Sequence, residues 1–226
     1  MLDYRLSIAG LCLGLAACAS APRVSQGVTL APGVGVLGAG SATATRTALA
    51  TMDSAARAFA PADVEFMSGM IPHHAQAVQM AGWAPSHGAR ADVQRLCERI
   101  VVAQKDEIRM MRRWLGERGQ EVPDSLSQRH VMRMNGMVHE MMMPGMLTVE
   151  EMAALDSARG SEFDRLFLVG MIKHHRGAIA MVDELFNHGD AGHDETVFRF
   201  ANDVVSDQSA EINKMLVMLE TVPPLH

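Results

Sequence analysis

The sequence predicts an all-α fold: a four-helix bundle built from two duplicated helix pairs, with a short extra helix and a methionine-rich linker between the halves. Three observations carry it. The stretch beginning at Asp63 returns at Asp164, so that Asp63, Phe66, Gly69, Met70, Ile71, His73, His74, Ala77, Met80, His87 and Gly88 reappear as Asp164, Phe167, Gly170, Met171, Ile172, His174, His175, Ala178, Met181, His188 and Gly189. A second stretch, Val101, Gln104, Glu107, Ile108, Met111 and Leu115, returns as Val205, Gln208, Glu211, Ile212, Met215 and Leu219. Within them Asp63, Phe66, Met70, His73, Ala77 and Met80, and Val101, Gln104, Ile108, Met111 and Leu115, advance in steps of three and four, which stack on one helical face, where a strand would need steps of two. One helix pair cannot bury such a stripe alone, and two related pairs can close it off.

From the amino terminus, Arg5 precedes an apolar run from Leu6 to Ala17 that is too short to span a bilayer and reads as a secretory signal. Leu15-Ala16-Ala17-Cys18 has the form of a bacterial lipobox, which would leave Cys18 as a lipidated first residue. Ala19-Ser20-Ala21 would suit an ordinary signal peptidase, but a cysteine ending the run otherwise has no purpose in an exported chain. Residues 1–18 are therefore read as a signal with a lipobox, and the product as lipid-anchored on the periplasmic side of the envelope, on the outer membrane in a Gram-negative cell. No other stretch is apolar enough to enter a membrane. Residues 19–60, rich in Ala, Gly, Thr, Ser, Val and Pro with little charge, read as a flexible tether, with a marginal helix at 47–59.

The bundle domain is expected over 61–226, with repeat one at 61–118, the linker at 119–160 and repeat two at 161–221. Pro61 suits a first helical turn, and Pro72 should kink the helix it sits in. The second helix ends near Gly116 and Gly119 and carries Cys97 on its apolar face, where an inert buried thiol is expected. Thr148 and Glu151 form a capping box for a short helix reaching about Ala158. The last pair runs from about Ser161 to Phe186 and from Asp194 to Glu220. No strand is expected between 61 and 220.

Chemistry concentrates in His73, His74, His174 and His175, two equivalent pairs with Met70 and Met80 around one and Met171 and Met181 around the other. In a bundle with a pseudo-twofold axis these pairs can face one another across the interior; the plainer reading is a structural histidine copied by the duplication. Gln104 with Glu107 and Gln208 with Glu211 are the polar partners on the other helices, and a carboxylate on a neutral imidazole is the usual support of a metal ligand. Asp63 and Asp164 lie in first turns, where a carboxylate also favours the helix dipole.

Thioether with imidazole points to copper, Cu(I) above all, rather than to magnesium, calcium or iron. The linker adds Met132, Met134, Met137, His139, Met141, Met142, Met143 and Met146. That spacing is too dense for one helical face, so several thioethers should be exposed as a separate, more exchangeable soft site. Met111, Met215 and Met218 are expected to fill the core. A net charge of −6 provides no basic stripe for nucleic acid.

The doubled pattern D-x-x-F-x-x-G-M-I-x-H-H-x-x-A-x-x-M, the Q-x-x-E-I-x-x-M helices and the PGMLTVEEMAALDSARGSEFDRLFL segment resemble the bacterial family of domain of unknown function 305 over about 61–220. The resemblance implies a ferritin-like four-helix bundle, frequent export, and copper binding and tolerance in some members. It also raises a metal-dependent oxidoreductase using iron or manganese. Di-iron carboxylate bundles need Glu-x-x-His on two helices, and this chain carries Glu-Ile-x-x-Met instead. No nucleophile and base pair stands out either. A metal-free structural or protein-binding lipoprotein is the remaining alternative, and pairing into a homodimer is left open.

Overall fold

A computed structural model describes residues 59–124, 130–134 and 137–223. The expected signal and lipobox with Cys18, the tether and nearly all of the helix expected at 47–59 lie outside the described residues. The elements are α1 (Pro61–Gly82), α2 (Ala91–Glu117), β1 (His130–Met134), β2 (Met137–Met141), α3 (Val149–Ser157), α4 (Gly160–Asn187) and α5 (Glu195–Leu219). Helix α1 pairs with α2 and α4 with α5, and α1 packs along α4 to join the pairs into an all-α bundle.

Local chemistry sets the helix starts. Pro61 opens α1, and Asp63 accepts the Ala60 amide at 2.9 Å through one carboxylate oxygen and the Gly192 amide through the other at 2.6 Å. Its counterpart Asp164 accepts the Arg90 amide at 3.2 Å. These two carboxylates thus tie each pair's first helix to the loop of the other pair. In α3, Thr148 Oγ1 accepts from the Glu151 amide and Glu151 accepts from the Thr148 amide at 2.8 Å, the reciprocal cap read from the sequence.

Asp194 begins α5 by accepting the Thr196 and Val197 amides, and it also takes Trp114 Nε1–H at 3.1 Å and Arg118 Nη2–H at 2.7 Å from the end of α2. Burial pushes the Asp194 carboxyl up, and the Trp114 and Arg118 donors more than offset it, holding it below the usual carboxylate range. Asp194→Ala removes the cap and strands both donors, so it is expected to cost about 2 kcal/mol and lower the melting temperature by roughly 4–8 °C. Asp194→Asn, which keeps an acceptor, should recover about half of the loss.

The core falls into two apolar clusters. One joins the first half of α1 to the second half of α4 through Phe66, Met70, Met181 and Leu185; the other joins the second half of α1 to the first half of α4 through Met80, Phe163, Phe167 and Met171. Between them each long helix contributes buried or half-buried polar residues: His73, His74 and Gln76 from α1, Gln104 and Glu107 from α2, His174 and His175 from α4, Gln208 and Glu211 from α5. The bundle therefore has a polar layer through its middle.

Two expectations meet the structure in the linker, and the first of them fails. Strands β1 and β2 form an antiparallel hairpin that sets Met132 opposite His139, Met134 opposite Met137 and His130 opposite Met141, where no strand was expected. Val131 and Val138 flanking an Asn135-Gly136 dipeptide are a strong hairpin signal, because Asn-Gly tolerates the positive φ of two-residue turns. The side chains of Met132, Met134, Met137, His139 and Met141 lie outside what is described. The second concerns exposure, which the described residues divide. Met142 is 49% exposed, but Met143 at 7% and Met146 at 2% are core residues. Gly145, at φ +77°, turns the chain back into the bundle there, a conformation open to glycine without strain.

Candidate metal centre

All four paired histidines are completely buried. His73 and His174, equivalent residues of the two repeats, face each other across α1 and α4 with ring centroids 3.9 Å apart and planes 40° from parallel. His74 and His175 turn outward to the flanking helices: His74 Nε2 lies 2.8 Å from Glu107 Oε2, and His175 Nε2 lies 2.7 Å from Glu211 Oε2. The same contact is thus made in both repeats.

These contacts set the tautomers. A carbonyl only accepts, so His73 Nε2, 3.0 Å from the Pro144 carbonyl, carries the hydrogen and leaves Nδ1 as a lone pair. An ionised Glu211 requires the same of His175, 2.7 Å away. Nδ1 of all four rings, and Nε2 of His174 and His74 as well, has no hydrogen-bond partner, the Glu107 carboxylate standing 2.8 Å from His74 Nε2 out of line for a hydrogen bond. Buried polar atoms are normally satisfied, so four bare imidazole nitrogens in one layer are an exception that calls for a cause. Gln104 Oε1 and Gln208 Oε1 are buried and unpartnered in the same layer.

Burial lowers the His73 pKa to about 3, reinforced by His74 and His175 and opposed by the Pro144 carbonyl. Burial likewise drives His174 well below 6.5, followed by the three neighbouring histidines, with the His73 backbone opposing weakly. Both rings are therefore neutral at neutral pH, the form that ligates metal. Outside the layer, partial burial and the charges of Glu107, Asp203 and Glu211 push the Asp207 carboxyl up. Glu107 and Asp203 also line, with Asp106 and Glu195, a groove of about 510 Å³ between α2 and α5.

The donor set suits copper: imidazole lone pairs in the layer and thioethers of Met70, Met80, Met171 and Met181 in the clusters on either side of it. The structure does not bring every donor together. Among the described residues no three His, Cys, Asp or Glu side chains converge as a ready-made ligand set. Met70 lies with Met181, Met143 and Met146 on one side of the layer, and Met80 with Met171 on the other. Cys97 is buried and free, its thiol pushed up to about 12 by burial and then by Asp164, as expected of an inert thiol.

The strap over the layer was not foreseen. Gln76 Nε2 donates to the Leu147 carbonyl at 3.0 Å while Gln76 Oε1 accepts the Leu147 amide at 2.8 Å, so one buried side chain pairs with the backbone as a strand would. Opposite, Pro144 and Gly145 lie directly on Gly177, where a Cβ would fall 1.9 Å from the Pro144 carbonyl oxygen. Lys173 holds Glu151 at 2.8 Å beyond. Gln76 and Gly177 occupy equivalent positions in the two repeats, as do Pro72 and Lys173. The signal lay in where the copies differ, since a single strap cannot obey a twofold axis.

The family described as domain of unknown function (DUF305) matches residues 63–219. Among solved structures, a DUF305 fragment from Deinococcus radiodurans is 30% identical with a TM-score of 0.58, over 72% of this chain and 97% of that one. A DUF305 protein from Streptomyces coelicolor, described provisionally as secreted, is 27% identical with a TM-score of 0.57, over 73% and 98%. CopM in its Cu(I)-bound form is 26% identical with a TM-score of 0.53, over 70% and 95%, and is also known in Cu(II)-bound and silver-bound forms. The protein L153 of Acanthamoeba polyphaga mimivirus, itself uncharacterised, is 34% identical over 56 residues, a match spanning 37% of its length and 25% of this chain. With the matched region covering both helix pairs and the polar layer between them, this chain belongs to the DUF305 family.

Proposed function

We propose that this protein binds copper in the cell envelope and holds it in the histidine layer. The observation that carries this is the set of four buried imidazoles whose Nδ1 atoms are bare, two of them, His73 and His175, oriented by an acceptor at Nε2, and His74 with a carboxylate oxygen 2.8 Å from its Nε2. Acceptors at the distal nitrogen fix tautomer and ring orientation in metal sites and raise ligand basicity. A purely structural histidine would use both nitrogens. The acidic groove beside Glu107 supplies a surface that concentrates cations next to the layer. Nearby thioethers favour Cu(I) over harder ions. The similarity to CopM in copper-bound forms supports the same reading.

Export and a lipid anchor at Cys18 belong to this proposal on the sequence signal alone. Among the described residues no helix is long and apolar enough to cross a membrane.

The test uses glutamine, whose amide nitrogen sits near the Nε2 position. His73, His74, His174 and His175 changed to Gln keep a donor for Pro144, Glu107 and Glu211 and lose the Nδ1 lone pair. Alanine is a poorer probe, because four truncations in a sealed layer add cavities to any ligand effect. The expected result is loss of the layer's copper, read as at least tenfold weaker binding in competitive Cu(I) titration, with melting within about 5 °C of the parent. Undiminished copper with a lost fold would make the histidines structural. Elemental analysis of protein purified from its own envelope separates the alternatives: iron or manganese in stoichiometric amount favours an oxidoreductase, and no metal favours a structural or protein-binding module.

A further inference from the structure

Beside the Met70 and Met181 cluster the bundle surface opens into a cleft of about 260 Å³ between the start of α1 and the end of α4, and residues 142–144 cross its edge. Met142, Met143 and Met181 line it, with His188 at the α4 terminus. We propose that this cleft is a soft-cation site, distinct from the histidine layer, that takes Cu(I) through these three thioethers and the His188 imidazole. The proposal rests on the copper reading of the chain, though not on the histidines of the layer.

Four features point to a ligand rather than to packing. Methionine is the side chain best able to fill an irregular gap, yet three of them border this opening without closing it. Their exposure is graded: Met143 at 7% and Met181 at 9% pack in the core, while Met142 at 49% leaves its thioether room to close over an ion seated on the other two. The charge at the rim is negative, with Glu65 and Glu184 and no lysine or arginine among the lining residues, which suits a cation. The remaining wall, including Phe66 and Leu185, is apolar. Such a wall selects a weakly hydrated soft ion over magnesium or calcium, which want oxygen ligands and keep water. Binding here forms bonds from neutral thioether sulfur to the metal, with no change of oxidation state and no proton released by the methionines.

The donors come from two parts of the sequence, Met181 from the repeated helix and Met142 and Met143 from the linker, so neither stretch shows the site by itself. Pro144 links it to the layer: it lines the cleft and gives its carbonyl to His73.

The experiment titrates the whole chain with Ag(I) at pH 7, as a redox-inert stand-in for Cu(I), and follows the methionine ε-methyl carbons by NMR. In the parent, the Met142, Met143 and Met181 methyl signals should shift together and saturate at one equivalent. Changing those three to leucine preserves volume and should remove that equivalent while melting stays within about 5 °C. The Gln variant of the four buried histidines should keep the cleft equivalent. If the three signals do not move together, or the leucine variant keeps its full Ag(I) stoichiometry, the cleft is not a site. If leucine at Met132, Met134, Met137 and Met141 removes the equivalent instead, soft binding belongs to the hairpin and the proposal falls. Loss of layer binding alone in the Gln variant, with the cleft intact, bears on the histidines and not on this site.

Discussion

Acidifying the metal-free protein from pH 6.5 towards pH 4 is expected to remove its stability, at about 1.4 kcal/mol per pH unit through His73 and further in the same direction through His174. The sign follows from which state binds the proton. In the unfolded chain both imidazoles protonate around pH 6.5. In the folded chain His73 stays neutral down to about pH 3 and His174 is likewise held well below 6.5, in each case first by burial. Between those values the unfolded state carries protons that the native state refuses, so each unit of acid shifts the balance toward unfolding. Stability is fully present above pH 6.5 and is lost as the pH falls through the window.

The groups facing these rings do not cancel the effect. His73 looks onto His174, His74 and the Pro144 carbonyl, and His174 onto His73 and His175, while the carboxylates of Glu107 and Glu211 stand behind His74 and His175. Urea unfolding at stepped pH measures the slope. A slope of about 1.4 kcal/mol per unit near pH 5 is expected from His73, with His174 adding to it in the same direction. His73→Gln with His174→Gln should flatten the curve in that window while leaving the pH 7 value nearly unchanged. A parent curve already flat from pH 6.5 to 4 would mean that the layer is wet or charged, and the case for neutral, ligating imidazoles would be lost.

The duplication is what made the fold legible. Equivalent stripes in two helix pairs require a shared interior, and the contacts repeat as the residues do, with His74 on Glu107 and His175 on Glu211. The helix starts were equally readable at Pro61, Thr148 and Asp194, because capping depends on residues within one turn. The linker was harder. Its methionines invited counting as ligands, and that obscured both the Asn135-Gly136 signal between alternating residues and the fact that one positive-φ glycine can return Met143 and Met146 to the core. In the candidate centre the repeated residues were visible and the unrepeated ones were not. Gln76 and Gly177 carry no metal chemistry, and their meaning appears only once a loop is seen lying across the two helices. Tertiary contacts of low sequence periodicity leave no local trace.

Gly177→Ala is therefore expected to be among the most damaging small substitutions in the chain. The added carbon would lie 1.9 Å from the Pro144 carbonyl oxygen, 2.4 Å from its carbon and 2.6 Å from Gly145 Cα, and backbone cannot step aside as a flexible side chain could. In a helix interior alanine would ordinarily stabilise by about 1 kcal/mol relative to glycine, so any loss measures the strap directly. Lifting the strap strands Gln76, which loses its donor and acceptor at Leu147, and removes the acceptor at His73 Nε2. It also unseats Met143, Met146 and Leu147 from the core. Together these effects should cost about 3 kcal/mol or more, read as a fall of roughly 6–12 °C in the melting temperature. Limited proteolysis gives the local reading: new cleavage should appear within residues 142–147 while α1, α2, α4 and α5 remain intact. With the Pro144 carbonyl gone, the His73 ring loses the partner that fixes its tautomer, so copper bound in the layer should also weaken. A compensating change, Gln76→Gly in the same chain, restores space on the opposite side but no hydrogen bonds, and should not rescue stability. Unchanged melting and no new cleavage in Gly177→Ala would show that the strap yields at no cost, and that its contacts with His73 and Gln76 do not hold the layer closed.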